Sequence, residues 1–249
     1  MKIVVCIKRT PDTETKIRLG GDGASIDPDG VKFIISPYDE FAIEAALQMK
    51  EGAGDGEVIL LSMGAEDTQE TLRQGLAMGA DGAVLLKGDP GVDALATAKA
   101  LAAELTEMGP SLVLFGMKGA DMDQQQVGPM TATLMGLPCA TAVSEFELDG
   151  ETLTCRRDIE GGAEILEMAL PAMVTMTKGK FEPRYASLKG IMAAKRKPIE
   201  EKDAQTGESR LVVKNLSYPP ERPAGRVVGE GPEAAAEVVR LLREEAKAL

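Results

Sequence analysis

The residues best placed to do chemistry lie in one loop, within the stretch SLVLFGMKGADMDQQQVGP at residues 111–129. A short apolar run ends there in a turn rich in glycine and aspartate, and three glutamines, Gln124 to Gln126, follow the turn. Neutral amide groups and the free N–H groups of a helix start can bind phosphate or ribose without a salt bridge. We therefore expect a helix to begin near Gln124 and to bind the phosphate of a nucleotide. The alternative is a capped helix start with a solvated loop, because the stretch contains neither a Walker loop nor GxGxxG.

Other polar loops are expected beside this one. Asp121 and Asp123 could ligate a cation, or accept hydrogen bonds from ribose or backbone. Open parallel sheets bind ligands outside the carboxyl ends of their strands, and CIKRTPDT, SMGAED and SPYD should lie at that same edge. In SPYD, Ser36 is a good helix N-cap and Asp39 stands three positions beyond it. The four loops predict a nucleotide-sized crevice without an evident nucleophile or general base.

The composition excludes several classes of function. The formal net charge is -12 and aromatic residues make up only 3%, so neither phosphate-backbone binding nor base stacking is favoured, and we expect no nucleic-acid partner. The sequence has no histidine, the commonest general base and metal ligand. Cys6, Cys139 and Cys155 show no metal-ligand spacing, and their odd number indicates reduced thiols in a cytoplasmic protein. We therefore expect neither a catalytic residue nor a metal site.

Alternating signals along the chain predict an α/β fold. Apolar runs at residues 2–8, 57–64 and 82–87 alternate with helical stretches, which is typical of βαβ units forming a parallel sheet with helices on both faces. Residues 140–177 alternate like strands, whereas residues 178–231 show little periodicity before a final amphipathic helix. The first predicted strand directly follows the initiating methionine, and no apolar run approaches the roughly 20 residues of a membrane span. We therefore expect neither a signal peptide nor a membrane-embedded segment.

A second cluster lies at residues 178–197, here called the basic segment. It holds 7 of the 28 lysines and arginines but one acid, Glu182, on a chain that is acidic overall. Leu188, Ile191 and Met192 lie within it, and a merely solvated loop has no need of them. An apolar side chain ringed by cations can form a docking surface for an acidic protein partner, with fast and salt-sensitive encounter. A simple solvated face is the alternative interpretation.

Five stretches carry a resemblance to a known family: VVCIKRTPDT, SPYDEFAIEAA, LAMGADGAVLL, GADMDQQQVGP and EPRYASLKGIMAAKRK. They occur in the order found in the beta (small) subunit of electron transfer flavoprotein, which the sequence resembles from end to end. The last stretch is the most specific, since it is similar to the family's recognition loop, whose leucine enters a hydrophobic pocket of a partner dehydrogenase. Leu188 occupies that leucine's place. The residues implied to dock dehydrogenases at 181–197 are Arg184, Tyr185, Leu188, Ile191, Met192 and Lys195.

The resemblance implies a Rossmann-like domain in a heterodimer, with a C-terminal arm that wraps round an alpha subunit. FAD would be shared with that subunit, and an AMP of structural role would be buried in this chain. Such proteins carry electrons, rather than acting as enzymes, from dehydrogenases such as the acyl-CoA dehydrogenases of fatty acid oxidation to a quinone oxidoreductase or other acceptor. Asp158 would pair with the alpha subunit. The implied AMP contacts are Cys6, Ser36, Pro37, Tyr38, Asp39, Met63, Gly116, Lys118, Asp121, Asp123, Gln124, Gln125, Gln126 and Val127.

The nucleotide loop departs from the family's patterns. Members that bind AMP tend to read DDDxNQTG, whereas this chain reads DMDQQQVG at residues 121–128. Electron-bifurcating members, which hold a second FAD instead of AMP and use NADH, tend to read DGDTAQVGP. The VGP here resembles that group, but the bulk of Met122, Gln124 and Gln125 should crowd a flavin's ribityl chain. We expect AMP, and the alternatives are a bifurcating subunit with a second FAD and an adenine-nucleotide-binding regulatory protein without a redox role.

Pattern and resemblance together predict three parts of the chain. Residues 1–177 are expected to form the α/β nucleotide-binding domain, with residues 140–177 rich in strands. Residues 178–198 are expected to be the partner-recognition loop. Residues 199–249 are expected to form the C-terminal arm and its helix.

Overall fold

The computed structural model describes residues 1–222 and 224–249, which form two compact units, Met1–Lys214 and Asn215–Leu249. The first unit is an α/β domain. Its strands are β1 Lys2–Cys6, β2 Arg9–Pro11, β3 Phe33–Ile35, β4 Glu57–Gly64, β5 Gly82–Lys87, β6 Leu112–Gly116, β7 Cys139–Asp149, β8 Thr152–Ile159, β9 Gly162–Ala169, β10 Ala172–Met176 and β11 Ile199–Asp203. Its α-helices are α1 Pro37–Ala53, α2 Thr68–Met78, α3 Ala94–Met108, α4 Val127–Met135 and α5 Leu188–Ala194.

The main sheet has nine strands in the order β11-β5-β4-β1-β6-β10-β7-β8-β9. Neighbouring strands are parallel from β11 to β7, and β8 and β9 extend the sheet as antiparallel strands. β1 lies between β4 and β6, and its residues from Ile3 to Cys6 are all buried, as expected for a central strand that is covered on both faces. The predicted α/β fold with a Rossmann-like parallel sheet is confirmed.

Helices cover both faces of this sheet because successive side chains of a strand point to opposite faces. Ile3 and Val5 of β1 belong to a core cluster that contains residues of α1 and α2. Val4 and Cys6 belong to a second cluster that contains residues of α3 and α4. The Cys6 thiol is therefore a buried core group, and burial raises its pKa well above the usual value.

The structure is more regular after residue 178 than the sequence predicts. α5 lies within the basic segment, and β11 pairs in parallel with β5 at the edge of the main sheet. A helix of seven residues is too short to show a clear apolar period, and the sequence IEEKD of β11 is charged because the strand has one neighbour and much solvent contact. The first compact unit consequently continues to Lys214. The division at residues 177 and 198 stays a prediction.

The second compact unit contains a short 3-10 helix, Pro232–Ala234, followed by α6, Ala235–Glu244. α6 is the amphipathic helix that the sequence predicts. Within the described part of the chain, no helix combines the length and the apolar character needed to cross a membrane.

Candidate functional site

The candidate crevice lies where three neighbouring parallel strands end. Cys6 ends β1 and pairs with Leu61 of β4 and Phe115 of β6, so the loops that follow these strands leave the sheet at one edge. Met63, near the end of β4, is half-buried and packs on the core. Gly116 is the last residue of β6. The structure therefore brings together the loops that the sequence places in one crevice.

Asp39 ties the start of α1 to two of these strand ends. Its Oδ2 accepts a hydrogen bond from the backbone N–H of Lys8 at 2.6 Å, and its Oδ1 accepts one from the N–H of Gly116 at 3.0 Å. The approach is close, because a Cβ at Gly116 would stand 2.7 Å from the backbone of Tyr38 and Asp39. Only glycine leaves room for this contact, which explains the glycine at the end of β6.

The predicted N-cap position of Ser36 is confirmed, but the side chains of Ser36 and Asp39 form contacts other than those of a helix cap. Ser36 does occupy the N-cap position and Pro37 the first turn, but the Ser36 side chain makes no cap hydrogen bond. Its hydroxyl instead donates to the carbonyl of Lys118 at 3.2 Å and accepts from the N–H of Ala120 at 3.3 Å. The side chains of Ser36 and Asp39 thus connect the start of α1 to loops that are distant in the sequence.

Burial raises the pKa of Asp39 to about 7, although the Lys8 and Gly116 N–H groups pull it down. The side chain is only 5% exposed, and the loss of water around the carboxylate outweighs its two hydrogen bonds. A carboxyl group whose charge changes near neutral pH therefore lies at the centre of the crevice.

We expect Asp39→Asn to remove a pH dependence of stability. The native carboxyl keeps its proton up to about pH 7, whereas the ordinary value is 3.8. The folded state thus binds more protons than the unfolded state between these values, and the free energy of unfolding falls by about 4 kcal/mol as the pH rises through this window. Urea unfolding of the wild type and of Asp39→Asn at several pH values from 4 to 8 measures this pH dependence of the free energy of unfolding. Since the asparagine side chain does not titrate, parallel curves for the two proteins would contradict the prediction.

Two ion pairs hold the loop that follows β6. Lys8 Nζ lies 2.6 Å from Asp121, and Lys118 Nζ lies 2.7 Å from Asp123. The Lys118 ammonium also stands 5.6 Å from the centroid of the Tyr38 ring. Each aspartate thus already has a lysine partner, which disfavours the cation-ligand interpretation of this pair. The same contacts place two cations, Lys8 and Lys118, beside the crevice, and of these only Lys118 is among the implied AMP contacts.

The three glutamines lie in the loop rather than in a helix. α4 begins at Val127, so the predicted start near Gln124 is three residues too early. Asp123 and Gln125 have φ values of 53° and 55°, in the left-handed region that non-glycine residues rarely adopt. These two backbone turns delay the helix, and they leave residues 121–126 exposed. α4 still begins at the crevice end of the sheet, because Gly128 in its first turn lies against Phe115 and Thr175 near the ends of β6 and β10, and a helix start is where a phosphate can bind.

The basic segment carries α5, which is fixed on α2. Arg73 of α2 donates to the carbonyls of Ala194 and Lys197, each at 2.6 Å, and Lys197 Nζ donates back to the carbonyls of Leu76 and Ala80. A Cβ at Gly190 would collide with the carbonyl of Ala77, so glycine permits the close approach of the two helices.

The opposite face of α5 is apolar and open. Leu188 is 79% exposed, Ile191 and Met192 are also exposed, and Tyr185 precedes them at 99%. The cationic residues Lys189, Lys195 and Arg196 are exposed around them. Five of the six residues predicted to dock dehydrogenases are therefore on the surface. The exception, Arg184, is held by carboxylates of α1.

Asp158 lies near the end of β8, in the antiparallel extension of the sheet. Its carboxylate pairs with Arg156 at 2.8 Å and its side chain is 60% exposed. The structure therefore leaves it accessible to another chain but does not link it to the nucleotide loop.

The chain is similar in sequence to proteins of a known family. The family model described as "Electron transfer flavoprotein domain" matches residues 24–206, a range that includes the first turn of α1, the nucleotide loop and the basic segment. The chain belongs to the electron transfer flavoprotein family. Among its relatives, "Electron transfer flavoprotein subunit beta" of Bradyrhizobium diazoefficiens is 39% identical over 249 residues, the whole of both chains.

Other relatives in the family bear the same name. The protein of Bacillus subtilis is 38% identical over 260 residues, covering both chains completely. The protein of Homo sapiens is 38% identical over 252 residues, covering 98% of this chain and 97% of its own. The resemblance drawn from the sequence motifs is thereby confirmed, and the chain is a beta-subunit member of the family.

Proposed function

We propose that this chain is the beta subunit of a heterodimeric electron carrier. With an alpha subunit and a bound FAD, it carries electrons from dehydrogenases of the acyl-CoA dehydrogenase type to a quinone oxidoreductase or another acceptor. The single observation that supports this proposal best is the exposed apolar face of α5, with Leu188 at its start and cations around it. The names of the full-length relatives agree with an electron-carrier role.

The docking part of the proposal follows from physical chemistry. Large apolar side chains at the centre of a contact supply most of its free energy, and the surrounding cations speed encounter with an acidic partner. α5 is preorganised on α2, so little conformational entropy is lost when a partner binds. A carrier needs this combination of rapid encounter and modest affinity, because it must leave one partner to reach the next.

The nucleotide part of the proposal assigns AMP to the crevice. The N–H groups at the start of α4 and the ammonium groups of Lys8 and Lys118 are donors of the type that a nucleotide phosphate needs, and the phosphate would share the two lysines with Asp121 and Asp123. We expect the bulk of Met122, Gln124 and Gln125 in this loop to crowd the ribityl chain of a longer flavin. FAD, shared with the alpha subunit, supplies the redox chemistry, and this chain contributes binding and partner choice.

The second compact unit supports a role for the C-terminal arm in binding the alpha subunit. Val238, Val239 and Leu242 form an apolar stripe on α6, and none of the helix's residues is buried. A helix of this kind usually gains its stability by packing the stripe against another surface. We assign that surface to the alpha subunit and also assign Asp158 to the contact between subunits. We expect the heterodimer to act in the cytoplasm, in keeping with three free cysteines.

We expect one FAD and one AMP per heterodimer. The complex, purified after co-expression with its alpha subunit, would be denatured, and the released nucleotides counted by chromatography and mass spectrometry. Two FAD and no AMP would instead assign the chain to an electron-bifurcating complex. A single chain that stays monomeric with the alpha subunit present, and binds adenine nucleotide without flavin, would overturn the carrier proposal.

A further inference from the structure

The basic segment is attached to the rest of the domain on both sides of α5. Its first residues are anchored by Phe181, which is buried against Phe146, and by the backbone N–H of Lys180, which donates to the carbonyl of Ser144 at 3.0 Å. Its C-terminal part is held on α2 by Arg73 and Lys197. Before α5, the segment is held on α1 by Arg184. Between this attachment and the one on α2 lie Tyr185 and the apolar face of α5. The exposed docking face is therefore a short span with both ends fixed.

The attachment nearest to α5, on α1, consists of Arg184, Glu44 and Glu51, here called the Arg184 clamp. The Arg184 guanidinium donates to Glu44 through Nε at 2.7 Å and Nη2 at 2.9 Å, and to Glu51 through Nη1 at 2.6 Å and Nη2 at 3.0 Å. The backbone N–H of Arg184 also donates to Glu44 at 3.2 Å, and Gln48 donates to the same carboxylate at 2.8 Å. This one side chain makes four hydrogen bonds with its five N–H donors, all of them to carboxylates of α1.

The burial of Glu44 makes the clamp obligatory. Glu44 is only 2% exposed, and a buried carboxylate without a cationic partner is strongly destabilising. Burial raises the pKa of Glu44, but the hydrogen bonds from Arg184 and Gln48 outweigh this and leave the pKa below its usual value. Arg184 thus neutralises an interior charge, in contrast to Lys189, Lys195 and Arg196, which lie on the open surface. If Arg184 turned to a carboxylate of a partner protein, Glu44 would stay buried without a cationic partner, which is strongly destabilising.

We infer that Arg184 is a positioning residue for dehydrogenase docking, which fixes the entry to the docking face through Glu44 and Glu51 and does not contact the dehydrogenase. The inference rests on the proposed function and replaces the direct contact with a partner that the sequence analysis assigned to Arg184. α1, on which the clamp rests, is the same helix that Asp39 ties to the nucleotide crevice. α1 therefore contacts both the nucleotide crevice, through Asp39, and the start of the docking face, through the Arg184 clamp.

The test compares the double variant Arg184→Gln/Glu44→Gln with the wild type as the assembled heterodimer. The double variant removes one charge of each sign, so the net charge is unchanged and no unpaired ion stays buried. We expect the KM of the dehydrogenase for the carrier to rise about tenfold with kcat unchanged. The slope of log(kcat/KM) against ionic strength should stay the same. Amide hydrogen exchange in residues 185–195 should become faster, whereas exchange in α2 should not.

Three further variants distinguish positioning from direct contact. Glu51→Gln opens only the exposed half of the clamp and should give a smaller rise in KM. Lys180→Gln is the matched control, because Lys180 lies in the same segment and its ammonium group pairs with the exposed Glu147 at 3.1 Å rather than with a buried carboxylate. It should leave both KM and hydrogen exchange near wild-type values. Lys195→Gln, which removes an exposed cation, should make the salt dependence shallower.

The inference is overturned if the double variant shows wild-type KM and wild-type exchange in residues 185–195. It is also overturned if Glu51→Gln has no effect while the double variant makes the salt dependence shallower, as the loss of a direct contact would. The failure of the proposed function looks different. In that case Leu188→Ala leaves dehydrogenase kinetics unchanged, while the double variant still accelerates exchange in the segment, and the clamp has then no docking role.

Discussion

Leu188→Ala is expected to lower the second-order rate constant for reduction of the heterodimer by an acyl-CoA dehydrogenase at least about tenfold. Leu188 is 79% exposed in the free chain, so a partner that covers it removes most of its apolar surface from water. Full burial of a leucine side chain is worth roughly 1.5–3 kcal/mol, and alanine keeps only a small part of this. Stopped-flow measurement of flavin reduction at fixed ionic strength gives the rate constant.

The control for Leu188→Ala separates docking from folding. Ile17→Ala also shortens a partly exposed apolar side chain, 37% exposed, but outside the basic segment. It should leave the rate constant unchanged. Both variants should keep the flavin and nucleotide content of the wild type, because neither residue lies in the crevice. Equal rate constants for Leu188→Ala and the wild type would contradict a docking role for α5.

The sequence alone was sufficient for the elements that have a strong local pattern. β4 and β5 have the bounds that their apolar runs predict, residues 57–64 and 82–87. Both are central strands in a parallel sheet, where burial on both faces leaves a continuous apolar run that is easy to recognise. The strand-rich nature of residues 140–177 was predicted from a different signal, the alternation of apolar and polar residues that is typical of antiparallel strands with one solvated face. The charged edge strand β11 was missed because such a strand carries little apolar signal.

Contacts between distant residues were beyond sequence reasoning at the site. Asp39 and Gly116 are 77 positions apart, and the local pattern of SPYD is equally consistent with an ordinary helix cap. Lys8 and Asp121, 113 positions apart, gave no joint signal either. Nothing in the local sequence distinguishes Glu44 from an exposed helical glutamate, although it is buried and paired with Arg184. The sequence predicts which loops lie at the crevice. It does not predict which of their side chains pair, because the sheet brings residues together that are far apart in the chain.

Gly116→Ala is expected to destabilise the domain by about 3–5 kcal/mol and to release the nucleotide. The new Cβ would stand 2.7 Å from the backbone N of Asp39 and the carbonyl carbon of Tyr38, and closer still to the Asp39 carboxyl oxygen. Backbone cannot move aside as a flexible side chain can, so the first turn of α1 must shift away from the end of β6. The shift breaks the hydrogen bond between Gly116 N–H and Asp39 Oδ1. Overpacking in a core costs about 1–3 kcal/mol, and a buried N–H donor left without its partner costs about 1–3 kcal/mol.

The matched control for this prediction is Gly52→Ala, in the last turns of the same helix. A Cβ at Gly52 meets no atom within 4 Å, and alanine in a helix is favoured over glycine by roughly 0.5–1 kcal/mol. The control should therefore be as stable as the wild type or slightly more stable, with its AMP retained. Urea unfolding and the AMP content of each purified heterodimer measure the two effects. If Gly116→Ala keeps both its stability and its nucleotide, the contact between β6 and α1 does not hold the crevice in its binding shape.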